Sequence, residues 1–196
     1  MEDTRPGTVP PGDHPDPGWR WRERRSLAVI LGGAGALTVA SVVAMVLAFA
    51  EKVPCRAGAW NYDVKKYQDF CYTDIYPLYY GEGLYAKQVP YSGHKVEYPV
   101  LIGGAMQAVA WLVRNVDATI RGREFYDVTT VLLALCAVAA VLATARAAGA
   151  DRRWQALLVA LSPALILNAF VNWDLIAMAL TALGIAAWAA RRGVWA

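Results

Sequence analysis

Three acidic residues are the side chains of this sequence whose type and position best suit catalysis. Asp74 and Glu97 belong to a tyrosine-rich stretch over residues 71–101, and Asp174 lies between two later apolar runs. A positioned carboxylate can act as a general base that accepts the proton of a reacting hydroxyl. An acid near the start of a helix is equally suited to capping, so both roles remain open for all three residues.

The composition indicates that these acids belong to a membrane protein. Of the 196 residues, 57% are hydrophobic and 18% are charged, and the mean hydropathy is +0.31. Such a composition predicts an all-α integral membrane protein. The net charge of +3 gives no indication of nucleic-acid binding. The arginines cluster beside apolar runs, where they set the orientation of the helices in the membrane.

Four apolar segments, at residues 27–50, 126–148, 154–171 and 174–190, are predicted to be transmembrane helices. The first segment has 24 residues, roughly 36 Å of helix, which exceeds a hydrocarbon core of about 30 Å. Residues 1–26 are rich in proline near their start and predict a disordered cytoplasmic tail. The membrane domain would then cover residues 27–196.

The segment Pro99–Val113 is apolar but would reach only about 22 Å as a helix. If it does not span, the arginines at 20–25, 146–153 and 191–192 all lie on the cytoplasmic side, as the positive-inside tendency favours. We therefore expect a multi-pass plasma-membrane protein with both termini in the cytoplasm. Residues 51–124 would form one large external loop with interfacial or re-entrant helices. The alternative is a short fifth span at Pro99–Val113.

Several stretches of the sequence resemble one enzyme family. CYTDIYPLYYGEGL, VPY, VEYPVL and SPALILNAFVNWDLIAMAL are similar to the actinobacterial integral membrane proteins of glycosyltransferase family 87. These proteins are polyprenyl-phosphate-mannose-dependent mannosyltransferases and their relatives. The resemblance runs from about Trp60 to the C-terminus and implies a GT-C-like N-terminal helical bundle. The family is considerably longer, so we expect the chain to form only the N-terminal part and to need the remainder for activity.

The resemblance also implies roles for single residues. Asp74 matches the catalytic aspartate just beyond the first span, which would deprotonate a sugar hydroxyl in an inverting transfer. The donor would be a polyprenyl-phosphate sugar, with mannose expected, and the acceptor an envelope glycolipid or glycan on the outer face. Residues suited to binding these substrates are His94, Lys95, Glu97, Asn172 and Asp174. The competing interpretations are helix capping for the acids, a solvated loop for His94 and Lys95, and an interfacial aromatic belt for the tyrosines.

The three cysteines lie in different predicted environments. Cys55 and Cys71 both lie in the predicted external loop, where oxidising conditions favour a disulfide, whereas Cys136 lies in a predicted span and suits packing. No His or Cys cluster has metal-ligand spacing, so no cofactor is expected, although a divalent metal is compatible with some GT-C enzymes. The partners would be the sugar donor, the acceptor and membrane lipids. A second hypothesis is a non-catalytic scaffold or assembly partner that acts through its external loop.

Overall fold

The structure, a computed structural model, describes residues 18–58, 60 and 64–192, with side chains from 33 to 191. The predicted all-α class is confirmed, since no strand occurs among these residues. The α-helices are α1 Gly18–Ala57, α2 Lys65–Gln68, α3 Ile75–Gly81, α4 Val100–Leu112, α5 Arg121–Ala148, α6 Ala156–Ala160, α7 Pro163–Asn168 and α8 Asp174–Arg192. Short 3₁₀ helices occupy Leu84–Ala86 and Arg153–Gln155.

Three of these helices are long and apolar enough to cross a membrane. They are Gly33–Ala57 within α1, Arg121–Ala148 and Asp174–Arg191. Helix α5 packs along both α8 and α1 and so forms the centre of the bundle. The alanines of α5 that face its neighbours, including Ala137 and Ala140, are fully buried. Small side chains at these positions let the helix backbones approach closely, as is common between helices in membranes.

Three predicted boundaries need correction. The first span was predicted to end at residue 50, but α1 continues to Ala57. Helix α1 begins at Gly18, so residues 18–26, predicted as part of a disordered tail, are helical. The rest of that predicted tail, residues 1–17, lies outside the described residues, as do residues 193–196. Helix α5 begins at Arg121, ahead of the predicted start at residue 126. In all three cases polar residues extend a helix whose middle is apolar, and local hydropathy does not reveal the extension.

The predicted span at residues 154–171 is not one continuous helix. Helix α6 ends at Ala160, and α7 begins at Pro163 after Ser162 takes an extended conformation with φ −62° and ψ 127°. Proline has no N–H to donate to the preceding turn, and its ring disfavours helical geometry in the residue before it. The Ser162–Pro163 pair therefore divides the segment into two short helices, both of which pack against α1.

Helix α4 lies close to its predicted position, with 13 residues over Val100–Leu112. It is a shorter apolar helix than those that could span. One face, which includes Ile102 and Met106, is buried, while Leu101 and Leu112 on another face are 62% and 73% exposed. A short helix with an exposed apolar face suits the membrane interface, with that face toward the acyl chains.

The loop between α1 and α5 folds back onto one end of the bundle, here called the Asp74 end. This end comprises the C-terminal end of α1, the N-terminal end of α5 and the turn at residues 169–173 between α7 and α8. An ion pair between Arg56 of α1 and Asp127 of α5 joins two of these helices there. The predicted site residues on the loop and those on the turn are thereby brought to the same end.

Candidate functional site

The turn between α7 and α8 holds Asp74 in place. The backbone N–H of Asp74 donates to the carbonyl oxygen of Val171 at 2.7 Å. The hydroxyl of Thr73, which is 1% exposed, donates to the carbonyl oxygen of Phe170 at 2.8 Å. Because both bonds come from consecutive residues, the backbone at Asp74 has a defined position against the start of α8.

The Asp74 carboxylate does not cap a helix. Asp74 directly precedes helix α3, which begins at Ile75, but its side chain makes no capping hydrogen bond to that helix. The backbone N–H of Ile75 donates to the Thr73 hydroxyl oxygen at 3.2 Å instead. Asp74 Oδ1 accepts a hydrogen bond from the Tyr72 hydroxyl. This bond and partial burial raise the pKa of Tyr72 to about 12, because both favour the neutral phenol.

A disulfide fixes the segment that leads to Asp74. Cys55, near the end of α1, is bonded to Cys71, and the two Cα atoms are 5.9 Å apart. The indole N–H of Trp60 donates to the carbonyl oxygen of Cys71 at 2.9 Å. The chain therefore leaves the first long helix and is tied back to it three residues before Asp74.

The other two predicted acids lie near the same tyrosine as Asp74. Burial first, and then the negative charges of Asp74, Asp174 and Glu97 in that order, together raise the pKa of Tyr98 to about 12. Tyr98 thus lies within electrostatic range of all three carboxylates. Within the described ranges, however, no group of three His, Cys, Asp or Glu side chains is placed to hold a metal ion.

Asn172 and Asp174 form a local pair at the start of α8. Asn172 Nδ2 donates to Asp174 Oδ2 at 2.8 Å, and the backbone N–H of Asp174 donates to Asn172 Oδ1 at 3.1 Å. The Asn172 amide thus satisfies one of the N–H groups that a helix start leaves unpaired. Asp174 is also an acid in the first turn of α8, where the helix dipole favours it. These two hydrogen bonds support the capping interpretation of Asn172 and Asp174.

The remaining predicted binding residues lie on a more exposed loop. His94 Nε2 is 2.9 Å from Glu82 Oε2, and the Glu82 side chain is 9% exposed. Lys95 and Glu97 are exposed. Helix α4 has no side-chain cap, so Glu97 does not cap it. The Tyr91 hydroxyl donates to the carbonyl oxygen of Tyr98 at 2.8 Å, which closes this loop on itself.

The tyrosines of α3 pack as a cluster rather than as a single row of interfacial anchors. Tyr76 stacks near Trp60, with ring centroids 5.0 Å apart, and Tyr79 packs on Phe125 of α5 at 4.7 Å. Gly122 leaves room for this packing, because a Cβ there would lie 2.5 Å from the Tyr80 hydroxyl oxygen. The cluster fixes α3, and therefore Asp74 at its start, against the first turn of α5.

Two lysines and Tyr72 line a cavity that the sequence did not reveal. The cavity has a volume of about 200 Å³, and its other lining residues include Glu51, Tyr67 and Val171. Lys52 is 1% exposed, and its ammonium lies 3.2 Å from Glu51 Oε1 and 3.3 Å from the carbonyl oxygen of Phe70. The Lys66 ammonium lies 6.0 Å from the centre of the Tyr72 ring. The sequence feature that could have pointed to this cavity is the pair Glu51 and Lys52, which directly follows the apolar run of α1.

No protein-family model, curated protein or solved structure matches the chain. The resemblance to glycosyltransferase family 87 therefore stays a prediction from the sequence motifs.

Proposed function

We propose that the chain is the N-terminal part of a membrane glycosyltransferase. It transfers a sugar, with mannose expected, from a polyprenyl-phosphate donor to an envelope glycolipid or glycan on the outer face. The motifs of glycosyltransferase family 87 and the membrane-compatible helices support this proposal. The single observation that carries it is the position of Asp74, held by the turn at 169–173 and bonded to Tyr72 beside the cavity with the two lysines.

The proposed chemistry uses Asp74 and the cavity beside it. The Asp74 carboxylate accepts the proton of the acceptor hydroxyl. At the same time the oxygen of that hydroxyl forms a bond to the anomeric carbon of the donor sugar. The bond between that carbon and the phosphate oxygen breaks on the opposite face, which inverts the configuration. The lipid phosphate leaves with the electron pair, and Lys66 in the lining of the neighbouring cavity is a cation suited to that negative charge.

The helix order is compatible with a GT-C-like bundle of four crossings. Helices α6 and α7 would together form an interrupted third crossing between α5 and α8. An interrupted helix is tolerated at membrane depth where protein covers its open backbone, and both short helices pack against α1. On this proposal the Asp74 end is external and both termini are cytoplasmic.

The test is transfer activity in membranes that contain the chain together with any further part that the enzyme needs. Radiolabelled polyprenyl-phosphate mannose is the donor, and label in the glycolipid and glycan fractions is measured. Asp74→Asn preserves the size of the side chain but removes its basicity, so transfer should fall by about 10²–10⁴-fold. Tyr72→Phe should lower kcat with little change in KM, because the hydroxyl only positions the Asp74 carboxylate.

Asp69→Asn is the matched control, since Asp69 lies in the same loop and pairs only loosely with Lys65 at 4.0 Å. Its transfer rate should equal that of the unchanged protein. All variants should be inserted in the membrane at the same level. Near-normal transfer by Asp74→Asn would show that Asp74 is not the base, and the proposed mechanism would be wrong.

A further inference from the structure

A second cavity of about 320 Å³ lies beside the C-terminal half of α3, where Tyr79 lines it. It is formed by the 3₁₀ turn at Leu84–Ala86, the end of α4 and the first residue of α5. Three cationic side chains line it, those of Lys87, Arg114 and Arg121. The lining also includes the amide of Asn115 and the aromatic rings of Tyr85 and Trp111.

The charge of this cavity is strongly one-sided. Its lining residues, all within the described part of the chain, include three cations and no acid. The acids nearest to it in the chain are Asp117, whose charge reaches Arg121, and Glu82, which is paired with His94. The Asp117 carboxylate accepts hydrogen bonds from the backbone N–H of Thr119 at 2.8 Å and from its hydroxyl at 2.6 Å. The cavity therefore has the electrostatic character of an anion site.

Arg121 is held by a hydrogen bond to the backbone. Its Nε donates to the carbonyl oxygen of Val116 at 2.9 Å, which fixes the plane of the guanidinium. The same guanidinium acts on the hydroxyl of buried Tyr79 and partly opposes the burial that raises the pKa of that tyrosine. Lys87 and Arg114 are exposed at the mouth of the cavity. A fixed guanidinium beside two adaptable cations suits an anion with several oxygens, such as phosphate.

The cavity lies where a membrane-spanning helix meets the interface. Arg121 is the first residue of α5, one of the three helices long enough to span. Arg114 follows α4, on which Trp111 and Leu112 are 63% and 73% exposed. An apolar helix face that dips into acyl chains would place cations at its end among lipid headgroups. This neighbourhood favours a phosphate that belongs to a lipid over a dissolved one.

We propose that this cavity binds the phosphate of an anionic membrane phospholipid. The headgroup phosphate lies between Lys87, Arg114 and Arg121, and the acyl chains lie along the exposed apolar face of α4. The site anchors the loop between α1 and α5 to the lipid surface. It is independent of Asp74, so the lipid proposal and the transferase proposal succeed or fail separately.

The test is lipid binding by the full chain in a mild non-ionic detergent, followed by native mass spectrometry. Dioleoyl phosphatidylglycerol is the anionic probe, and dioleoyl phosphatidylcholine is its zwitterionic counterpart. The unchanged protein should bind the anionic lipid more tightly. Arg114→Gln should weaken that binding about tenfold, as expected for one charge-assisted hydrogen bond. Lys87→Gln combined with Arg114→Gln should weaken it further.

Lys65→Gln is the control, because it removes the same charge from an exposed lysine of α2 that does not line the cavity. It should leave the binding of phosphatidylglycerol unchanged. Equal losses in Lys65→Gln and Arg114→Gln would reduce the effect to overall charge and overturn the proposal. Unchanged binding in the double variant would also overturn it. A third arm adds inorganic phosphate alone, without lipid. If inorganic phosphate binds as tightly as phosphatidylglycerol, and Arg114→Gln weakens that binding, the cavity is a site for a soluble anion instead.

Discussion

Two segments of the loop between α1 and α5 carry predicted site residues, and they are anchored very differently. The segment at residues 71–81 is joined to α1 by a disulfide and to the turn at 169–173 by two hydrogen bonds. Its aromatic residues pack on α5. The segment at residues 91–98 is held by one internal bond from Tyr91 and by the pair of His94 with Glu82. Its Lys95 and Glu97 side chains are exposed.

The difference between the segments matches the different demands of the catalytic and binding roles proposed for their residues. A general base must be held in a productive geometry, and a misplacement of about 1 Å can cost on the order of 10²-fold in rate. Asp74 lies on the segment that many independent contacts hold. Residues that close over a bound substrate need the opposite property, since they must move when it enters and leaves. Lys95 and Glu97 lie on the segment that suits this second task.

Removal of the disulfide should have the largest effect on this contrast. The Cys55→Ser/Cys71→Ser double variant opens a loop of 16 residues in sequence separation. In the chain-entropy estimate this lowers the free energy of unfolding by about 3 kcal/mol. Reversible unfolding in mixed detergent micelles measures the change. The substitution should also increase the rate of hydrogen exchange more at residues 71–81 than at residues 91–98.

Cys136→Ser is the control for that variant. Cys136 is a free, partly buried cysteine of α5, so its replacement should leave the exchange rates of both segments unchanged. If the double variant unfolds at the same detergent composition as the unchanged protein, the disulfide does not anchor the Asp74 segment.

Thr73→Val should have the next largest effect. The substitution keeps the shape of the side chain but removes the hydroxyl that donates to the Phe170 carbonyl and accepts from the Ile75 N–H. Two buried backbone groups then lose a partner, and we expect a loss of about 2 kcal/mol in the free energy of unfolding. The same unfolding assay measures it.

Thr119→Val offers the matched comparison, because the Thr119 hydroxyl is exposed and bonds only to the nearby Asp117 carboxylate. A change of at most about 0.5 kcal/mol is expected for such a surface position. Equal losses in the two variants would mean that the contact of Thr73 with the turn at 169–173 does not position Asp74.

Local hydropathy predicts the helices of this fold well, and local stereochemistry would have predicted more. Apolar runs located α1, α5 and α8, and the length of Pro99–Val113 matched α4. The break before Pro163 had a signal in the sequence, since proline restricts the residue that precedes it. Hydropathy alone treats proline as one more residue of an apolar run and therefore overlooks the break.

The missed parts of the candidate site depend on contacts between residues far apart in the chain. Tyr98 lies near acids from the loop and from α8, and Thr73 bonds to Phe170, 97 residues later. No periodicity or spacing in one sequence predicts such pairs, because tertiary packing decides them. Tyr72, by contrast, is two residues from Asp74 and was within reach of a local argument.

The smallest expected effect separates two adjacent glycines of α4. A Cβ at Gly103 would lie 2.4 Å from the Tyr91 hydroxyl oxygen, whereas one at Gly104 would meet no atom within 4 Å. Gly103→Ala must therefore displace the Tyr91 ring and weaken its bond to the Tyr98 carbonyl. Crowding of this kind costs about 1–3 kcal/mol, and the better helix propensity of alanine offsets about 1 kcal/mol of that.

Gly104→Ala gains the same propensity without the clash, so it should match or slightly exceed the stability of the unchanged protein. Hydrogen exchange gives the sharper readout. Gly103→Ala should speed exchange at residues 91–98 and leave residues 71–81 unchanged, because Tyr91 packs over Gly103 and the anchors of Asp74 lie elsewhere. Faster exchange in both segments would show that they move as one unit, and the division of the loop into a fixed part that carries Asp74 and an adaptable part would be wrong.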